Sequence, residues 1–365
     1  MFWLSTGGDA ELDRVGVGIV GSGLWSGFYV TASQQHRRAD AVAVCNPNLA
    51  SAERLAKRHG VARAVADYSE LLVSDDLDAV AIVTPNDSHA DLAVAALEAG
   101  KHVLCEKPMA LSLAEAQRMQ AAADGSGLVT GINFTWRHPA AARYARDIVA
   151  SGELGRIYHL FGCFQQGWLR DHNAPRVWRL QRAKTGTGTL GDIGSHILDL
   201  AEWVTGQHIR SVVADLETFV DVRPLPEGGR GPVDVDDAAS VLARFDDGAM
   251  GTFTSSRYVP GQGMDQRLEI YGEKGALRMD FNDQQNLRVS IGRFAREGQM
   301  ISAPIPARFG TTPERYLGQN VTNFIDAILQ GEAMSPSFAD GVHNQALLDA
   351  VVQSGQDRAW VDVAV

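Results

Sequence analysis

The 365-residue sequence predicts an α/β architecture in two parts, a doubly wound parallel sheet in the first third and an α+β domain with an antiparallel meander after it. Three observations carry this reading. Apolar, β-branched runs alternate with helical patterns as far as residue 132, a glycine-rich turn follows the first run, and beyond Asn133 strand-like runs succeed one another with turn residues between them. The length exceeds what one hydrophobic core usually serves, so a division into residues 1–132 and 133–365 is expected.

In the first part, strands are expected at Val15 to Val20, Ala41 to Cys45, Ala79 to Val83, His102 to Cys105 and Leu128 to Ile132, with helices near Leu49 to Arg58, Ser88 to Glu98 and Ser112 to Asp124. The second part begins with a helix near Ala140 to Ala150, a strand near Ile157 to Gln166 and a stretch rich in Gly and Trp up to Leu190. A helix starting near Ile193 follows. Strand-like runs then come at Ala238 to Phe245, Ala249 to Ser255, Arg267 to Tyr271, Ala276 to Phe281 and Leu287 to Ile291, with Asp246-Asp247-Gly248 and Glu273-Lys274-Gly275 as two of the turns. Pro224 to Pro232 reads as a loop, and helices near Pro313 to Leu329 and Phe338 to Gln353 close the chain.

Composition narrows the partners. With 33 basic and 44 acidic side chains the formal charge is -11, and no basic block interrupts it, so nucleic acid and anionic membrane are not expected partners. Cys45, Cys105 and Cys163 are odd in number and widely spaced, which fits a reducing cytoplasm better than a disulfide framework. The opening stretch from Met1 to Asp9 has no positive n-region and no apolar run, and reads as a short loose arm.

The first strand runs into Gly21-Ser22-Gly23-Leu24-Trp25-Ser26, a Gly-x-Gly-x-x-Ser turn. The first glycine permits the tight turn and the second lets the backbone approach a pyrophosphate. The following helix N-terminus supplies N–H groups and the positive end of its dipole. Ser26 stands where Gly or Ala is usual, yet is small enough for close helix packing. At the end of the second strand Asn46 replaces the acidic residue that normally binds the adenosine ribose; an amide does not repel a 2′-phosphate, so NAD is expected and NADP stays open.

Three further segments carry a family resemblance. They are Ala81-Ile82-Val83-Thr84-Pro85-Asn86-Asp87-Ser88-His89, Ala99-Gly100-Lys101-His102-Val103-Leu104-Cys105-Glu106-Lys107-Pro108 and Gly191-Asp192-Ile193-Gly194-Ser195-His196-Ile197-Leu198-Asp199. From Val15 to the C-terminal helices the chain resembles the Gfo/Idh/MocA oxidoreductases, and the pairing of Glu-Lys-Pro with Asp-x-Gly-x-His is specific to them. The resemblance implies a Rossmann domain joined to a mostly antiparallel, open-faced sheet, with sheets that commonly pair into a homodimer or homotetramer. It implies catalysis by Lys107, Asp192 and His196. It also implies cofactor contacts from Gly21, Ser22, Gly23, Leu24, Trp25, Asn46, Thr84, Pro85, Asn86, His89, Glu106, Lys107, Asn133, Trp178 and Arg179. Substrate contacts fall to Lys107, Arg137, Gln166, Trp168, Asp192 and His196, and the Gln-Gly-Trp and Val-Trp-Arg segments resemble the branch acting on anhydro-sugars and glycosides, often at C3.

The chemistry agrees with that assignment. Oxidising a secondary alcohol needs a hydride acceptor on one face of the carbon and a base for the hydroxyl proton, and a neutral imidazole with an ordinary pKa near 6.5 suits the second task. His196 is the candidate base. Asp192, four residues earlier on the expected helix, can bond substrate or orient His196, and Lys107 at a strand's C-terminal end can stabilise a developing alkoxide. A metal reading of Asp192, His196 and Asp199 is set aside because Asp199 shares their face only partly, and no metal is expected. The expected activity is an NAD(P)-dependent dehydrogenase acting on a sugar, cyclitol or glycoside. The alternatives are a tightly NAD(P)-bound enzyme coupling two sugar half-reactions and a non-catalytic NAD(P) sensor, the last having no need of all three catalytic groups.

Overall fold

The computed structural model describes residues 13–364 apart from 262, 284–285 and 311–312, so the Met1 to Asp9 arm lies outside the described residues. The first part runs β1 (Val15–Val20), α1 (Ser26–Gln35), β2 (Ala39–Cys45), α2 (Leu49–His59), β3 (Arg63–Val65), α3 (Tyr68–Leu72), β4 (Ala79–Ile82), α4 (His89–Glu98), β5 (His102–Cys105), α5 (Leu113–Ala123) and β6 (Thr130–Ile132). All six strands are parallel in the order β3-β2-β1-β4-β5-β6. The order reverses between β1 and β4, and that switch point opens a crevice beyond the strand C-termini. β3 and α3 were not expected: three residues are too few to show a period, and α3 is little more than one turn.

The second part continues with α6 (Ala140–Ala150), β7 (Ile157–Gln166), α7 (Arg182–Thr185), α8 (Ser195–Thr205) and β8 (Ile209–Glu217). Then come β9 (Val222–Pro224), β10 (Arg230–Pro232), β11 (Ala238–Phe245), β12 (Met250–Ser256), β13 (Met264–Gly272), β14 (Ala276–Asp280), β15 (Asn286–Ser290), α9 (Arg293–Arg296) and β16 (Ile301–Pro304). The chain ends in α10 (Gln319–Gln330), α11 (Phe338–Asp357) and β17 (Val361–Asp362). Among the described residues the large sheet has the order β16-β15-β14-β13-β7-β12-β11-β8-β17, antiparallel throughout except where β7 meets β12. The stretch Pro224 to Pro232 is not a plain loop. Its two ends pair as the β9–β10 hairpin, with Arg230 opposite Pro224, which the Pro and Gly content concealed.

One face of the large sheet carries the core. Leu160, Phe164, Val241, Phe253, Leu268 and Ile270 interdigitate with Ala145 and Ile148 of α6 and Ile197, Leu200 and Val204 of α8. The parallel sheet has cores on both faces, as a doubly wound sheet requires. Two late helices cross between the parts. α10 lies with Val15, Ile19 and Tyr29 through Val321, Phe324 and Ile325, and the fully buried Phe324 ring alone contributes about 2 kcal/mol. α11 starts at a capping box formed by Ser337 and Asp340, buries Phe338 in the parallel-sheet core and buries Leu347 and Val351 in the other. No helix among the described residues is long and apolar enough to cross a membrane.

Candidate active site

The crevice beyond β1 and β4 opens into a cavity of about 630 Å³ that runs from the glycine turn to the C-terminal domain. At its near end Gly21 has φ +111°, and a Cβ there would lie 2.3 Å from the Val83 carbonyl oxygen, so only glycine fits. Gly23 differs: a Cβ would meet no protein atom within 4 Å, and the residue lines the cavity. Ser22, Leu24 and Trp25 line the same rim, and Leu24 is 82% exposed. Behind them Ser26 is buried at the start of α1, whose N-terminal turn faces the crevice. This bare backbone, a helix N-terminus and an open channel are what a pyrophosphate requires.

Further along the rim, Asn46 follows β2 and its Oδ1 accepts the Asn48 N–H at 2.8 Å. Thr84, Pro85 and Asn86 line the wall after β4, and Asn86 Nδ2 donates to the Thr185 carbonyl at 3.1 Å, tying the two parts together. Glu106 follows β5 and accepts from Tyr29 Oη at 2.7 Å and Asn133 Nδ2 at 2.8 Å. Burial, with the Glu106 carboxylate beside it, drives the Tyr29 phenol well above its usual range, so it stays a donor. The Lys107–Pro108 peptide bond is cis.

Lys107 Nζ donates to the backbone oxygen of Asp192 and lies 3.5 Å from its Oδ1. Asp192 sits in a π-helical turn, Leu190–Gly194, which runs straight into α8. The carboxylate of Asp236 shapes this turn by accepting from Gly188 N–H at 2.6 Å and Leu190 N–H at 2.7 Å. Residue 188 must be glycine, since a Cβ would fall 2.0 Å from the Asp236 carbonyl oxygen. The wide turn changes the expected geometry: Asp192 does not hold His196 but faces Arg257, whose Nη1 donates to Asp192 Oδ2 at 3.3 Å. Burial alone would raise the Asp192 pKa, but Lys107, Arg257 and Arg179 outweigh it and bring the group down to about 2.

His196 stands one helical turn on, 7% exposed, among the rings of Phe134, Trp136 and Phe164 at 6.5, 6.4 and 6.2 Å. Burial and then the Lys107 charge push its pKa well below 6.5, against the pull of Asp192. The imidazole is therefore neutral at pH 7. Its Nδ1 is buried without a hydrogen-bond partner, which leaves Nε2 as the nitrogen on the cavity side.

Of the residues picked from sequence, Gln166, Trp168, Trp178 and Arg179 also line the cavity, with the Arg179 guanidinium 4.4 Å from the Trp178 ring. Two do not. His89, expected at the cofactor, is fully buried behind the wall, bridging the carbonyls of Thr84 and Pro108 at 3.0 Å each. Arg137, expected at the substrate, turns away because its guanidinium is committed to the buried Asp199 and the partly buried Asp340; two carboxylates are stronger partners than an open cavity. Arg257 was missed. It stands just past the end of β12 with no side-chain exposure, its guanidinium 5.5 Å from the Trp168 ring, and its position after an alternating strand was the only sequence signal.

Comparison with known proteins agrees with this geometry. Residues 15–134 match the model of the oxidoreductase family with an NAD-binding Rossmann fold, and residues 142–278 match the GFO/IDH/MocA C-terminal domain. The chain is 34% identical over 348 residues to levoglucosan dehydrogenase of Pseudarthrobacter phenanthrenivorans, covering 88% of each chain. It superposes on an oxidoreductase domain protein from Kribbella flavida with TM-score 0.91 at 36% identity, covering 96% of this chain and 100% of that one. A levoglucosan dehydrogenase complex with NADH and levoglucosan gives TM-score 0.91 at 29% identity, with 96% of this chain and 100% of that one covered. The glycine cradle and the lysine, aspartate and neutral histidine thus share one cavity in a chain that belongs to the Gfo/Idh/MocA family of oxidoreductases, with an NAD-binding Rossmann domain.

Proposed function

We propose that the protein oxidises a secondary hydroxyl of a pyranose, an anhydro-sugar or glycoside, at C3, with His196 as base. The observation that carries this is the neutral His196 on the cavity wall, in the same space as Lys107 and the open channel at Gly23. Bound NAD supplies the hydride acceptor. Gly21 to Trp25 and the α1 N-terminus would hold its pyrophosphate, Asn46 its ribose, and Thr84 to Asn86 with Glu106 and Asn133 would line the rest of the cofactor.

His196 Nε2 takes the hydroxyl proton, and Lys107 stabilises the alkoxide that forms as the proton leaves. Asp192, ionised and held by Arg257, accepts a neighbouring substrate hydroxyl and balances the charge of Lys107. Trp168 and Trp178 offer flat faces to the ring, while Gln166 and Arg179 reach its hydroxyls. The levoglucosan dehydrogenases among the relatives support this substrate class.

The test is NADH formation across levoglucosan, methyl glycosides, aldoses and inositols. Lys107→Ala and His196→Ala are expected to abolish turnover on whichever is oxidised, and unchanged turnover in both would sink the mechanism.

The large sheet's outer face also belongs to this proposal. Phe161 on β7 lies opposite Thr252 of β12, and Thr252 lies opposite Leu242 of β11. Phe161, Leu242, Tyr158 and Met250 are each 45% exposed or more. An apolar stripe across three strands of an uncovered sheet fits a second copy of the chain, giving a homodimer or a homotetramer.

A further inference from the structure

At the end of α8 farthest from the cavity, three side chains from different parts of the sequence converge. Glu202 in the last turn of α8 is 8% exposed, and its Oε1 accepts the Ile209 N–H at 2.6 Å and His343 Nε2 of α11 at 2.8 Å. His208, in the turn between α8 and β8, brings Nδ1 to 3.7 Å from the same oxygen. The two imidazole rings sit 4.3 Å apart at 56°, tilted rather than stacked. One ligand atom from each of the three residues lies within 4.8 Å of the others.

We propose that Glu202, His208 and His343 form a structural zinc site. Two imidazoles and one carboxylate are a donor set for a borderline divalent ion, whereas calcium and magnesium prefer oxygen alone. Tetrahedral zinc with bonds of about 2.0–2.2 Å sets its donor atoms about 3.3 Å apart. Two of the separations here, 2.8 and 3.7 Å, bracket that value, and all three donor atoms lie within 4.8 Å of one another. His208 is 65% exposed, which provides the entry path and leaves a fourth position for water. Asp246 accepts the His208 N–H at 3.3 Å and pairs with Arg210 at 2.6 Å, steadying the turn that carries the outermost donor.

Zinc bound there joins α8, the α8–β8 turn and α11 without touching the chemistry, since none of its donors lines the cavity. It pins α11, the helix that reaches both cores, to the helix that presents His196.

The experiment uses the full chain, stripped with a chelator and titrated with Zn²⁺ against a chromophoric zinc indicator, with the thermal midpoint followed in parallel. Wild type is expected to bind one zinc per chain and to melt higher with it. His208→Ala, at an exposed position, is expected to keep the zinc-free midpoint, to lose the zinc-dependent rise and to bind about 100-fold more weakly. His343→Ala is expected to lose the rise as well. Mg²⁺ is expected to do nothing. Equal zinc binding by wild type and both variants, or no zinc-dependent rise in wild type, overturns the proposal.

Discussion

Arg257 Nη1 reaches Asp192 Oδ2 at 3.3 Å from a guanidinium that is wholly out of solvent and also donates from Nη2 to the Asp236 carbonyl. The same arginine therefore touches the carboxylate facing the cavity and the residue that shapes the π turn carrying it. Replacing it by leucine leaves Asp192 with Lys107 and Arg179 alone, and the carboxylate rises from its value of about 2. Arg257→Leu is expected to lower kcat/KM about 10- to 100-fold while NAD affinity, read by calorimetry, stays within about threefold. Arg257→Lys keeps the charge but not the fork, and is expected to recover only part of the loss.

The pH profile reports His196. A base whose pKa is depressed by burial and by Lys107 stays neutral through pH 6.5 and below, so the acid limb of kcat/KM for alcohol oxidation is expected below 6.5. His196→Asn is expected to cost about 10²–10⁴-fold on the plateau. An acid limb at or above pH 7 that disappears in the same variant would contradict the assignment.

The two glycines of the turn separate folding from binding. Gly21→Ala forces a Cβ onto the Val83 carbonyl at a positive φ and is expected to lower the thermal midpoint. Gly23→Ala meets no protein atom, so the midpoint without cofactor is expected to hold while NAD affinity drops about tenfold or more. Equal effects of the two on stability would show that Gly23 is needed by the fold rather than by a ligand.

Arg137 belongs to the frame. Its removal leaves the buried Asp199 and the partly buried Asp340 without their cation, and Arg137→Met is expected to destabilise the protein by about 3–5 kcal/mol in urea unfolding. The KM for sugar of the folded fraction is expected to be unchanged. A large KM effect with little loss of stability would return Arg137 to the substrate site.

The apolar stripe of the large sheet makes a prediction about assembly. Phe161→Glu with Leu242→Glu places two charges on the exposed face and is expected to shift the mass in light scattering to that of one chain. No change of mass, or a wild-type protein that is already a monomer, rules that face out as the contact.

Local pattern made much of this molecule legible. β1, β5, α6, β7 and β11 begin and end where periodicity and turn residues place them, because each is a run whose burial is decided by its own side chains. β8 was not legible, since an irregular register near Arg210 buries Ile209 and Val212 three residues apart, and Ser211, Asp215 and Glu217 break up its apolar run. The glycine turn and the gathering of Lys107, Asp192 and His196 on one cavity wall were legible because their motifs are short and contiguous. Arg137 and His89 were misplaced because their partners, Asp199 and Asp340 for one and the Pro108 carbonyl for the other, are remote in sequence. The π turn was hidden for the same reason: the carboxylate that opens it is supplied from residue 236.

The return of α10 and α11 to the first sheet also limits how the gene can be divided. A fragment ending at residue 132 would lack Phe324, Ile325 and Phe338, so each face of its sheet would be stripped of core side chains. The remaining fragment would carry those same side chains with nothing to bury them. Exchanging cofactor domains between relatives therefore requires moving α10 and the first turn of α11 together with the glycine turn, as two separated stretches of one inheritable unit.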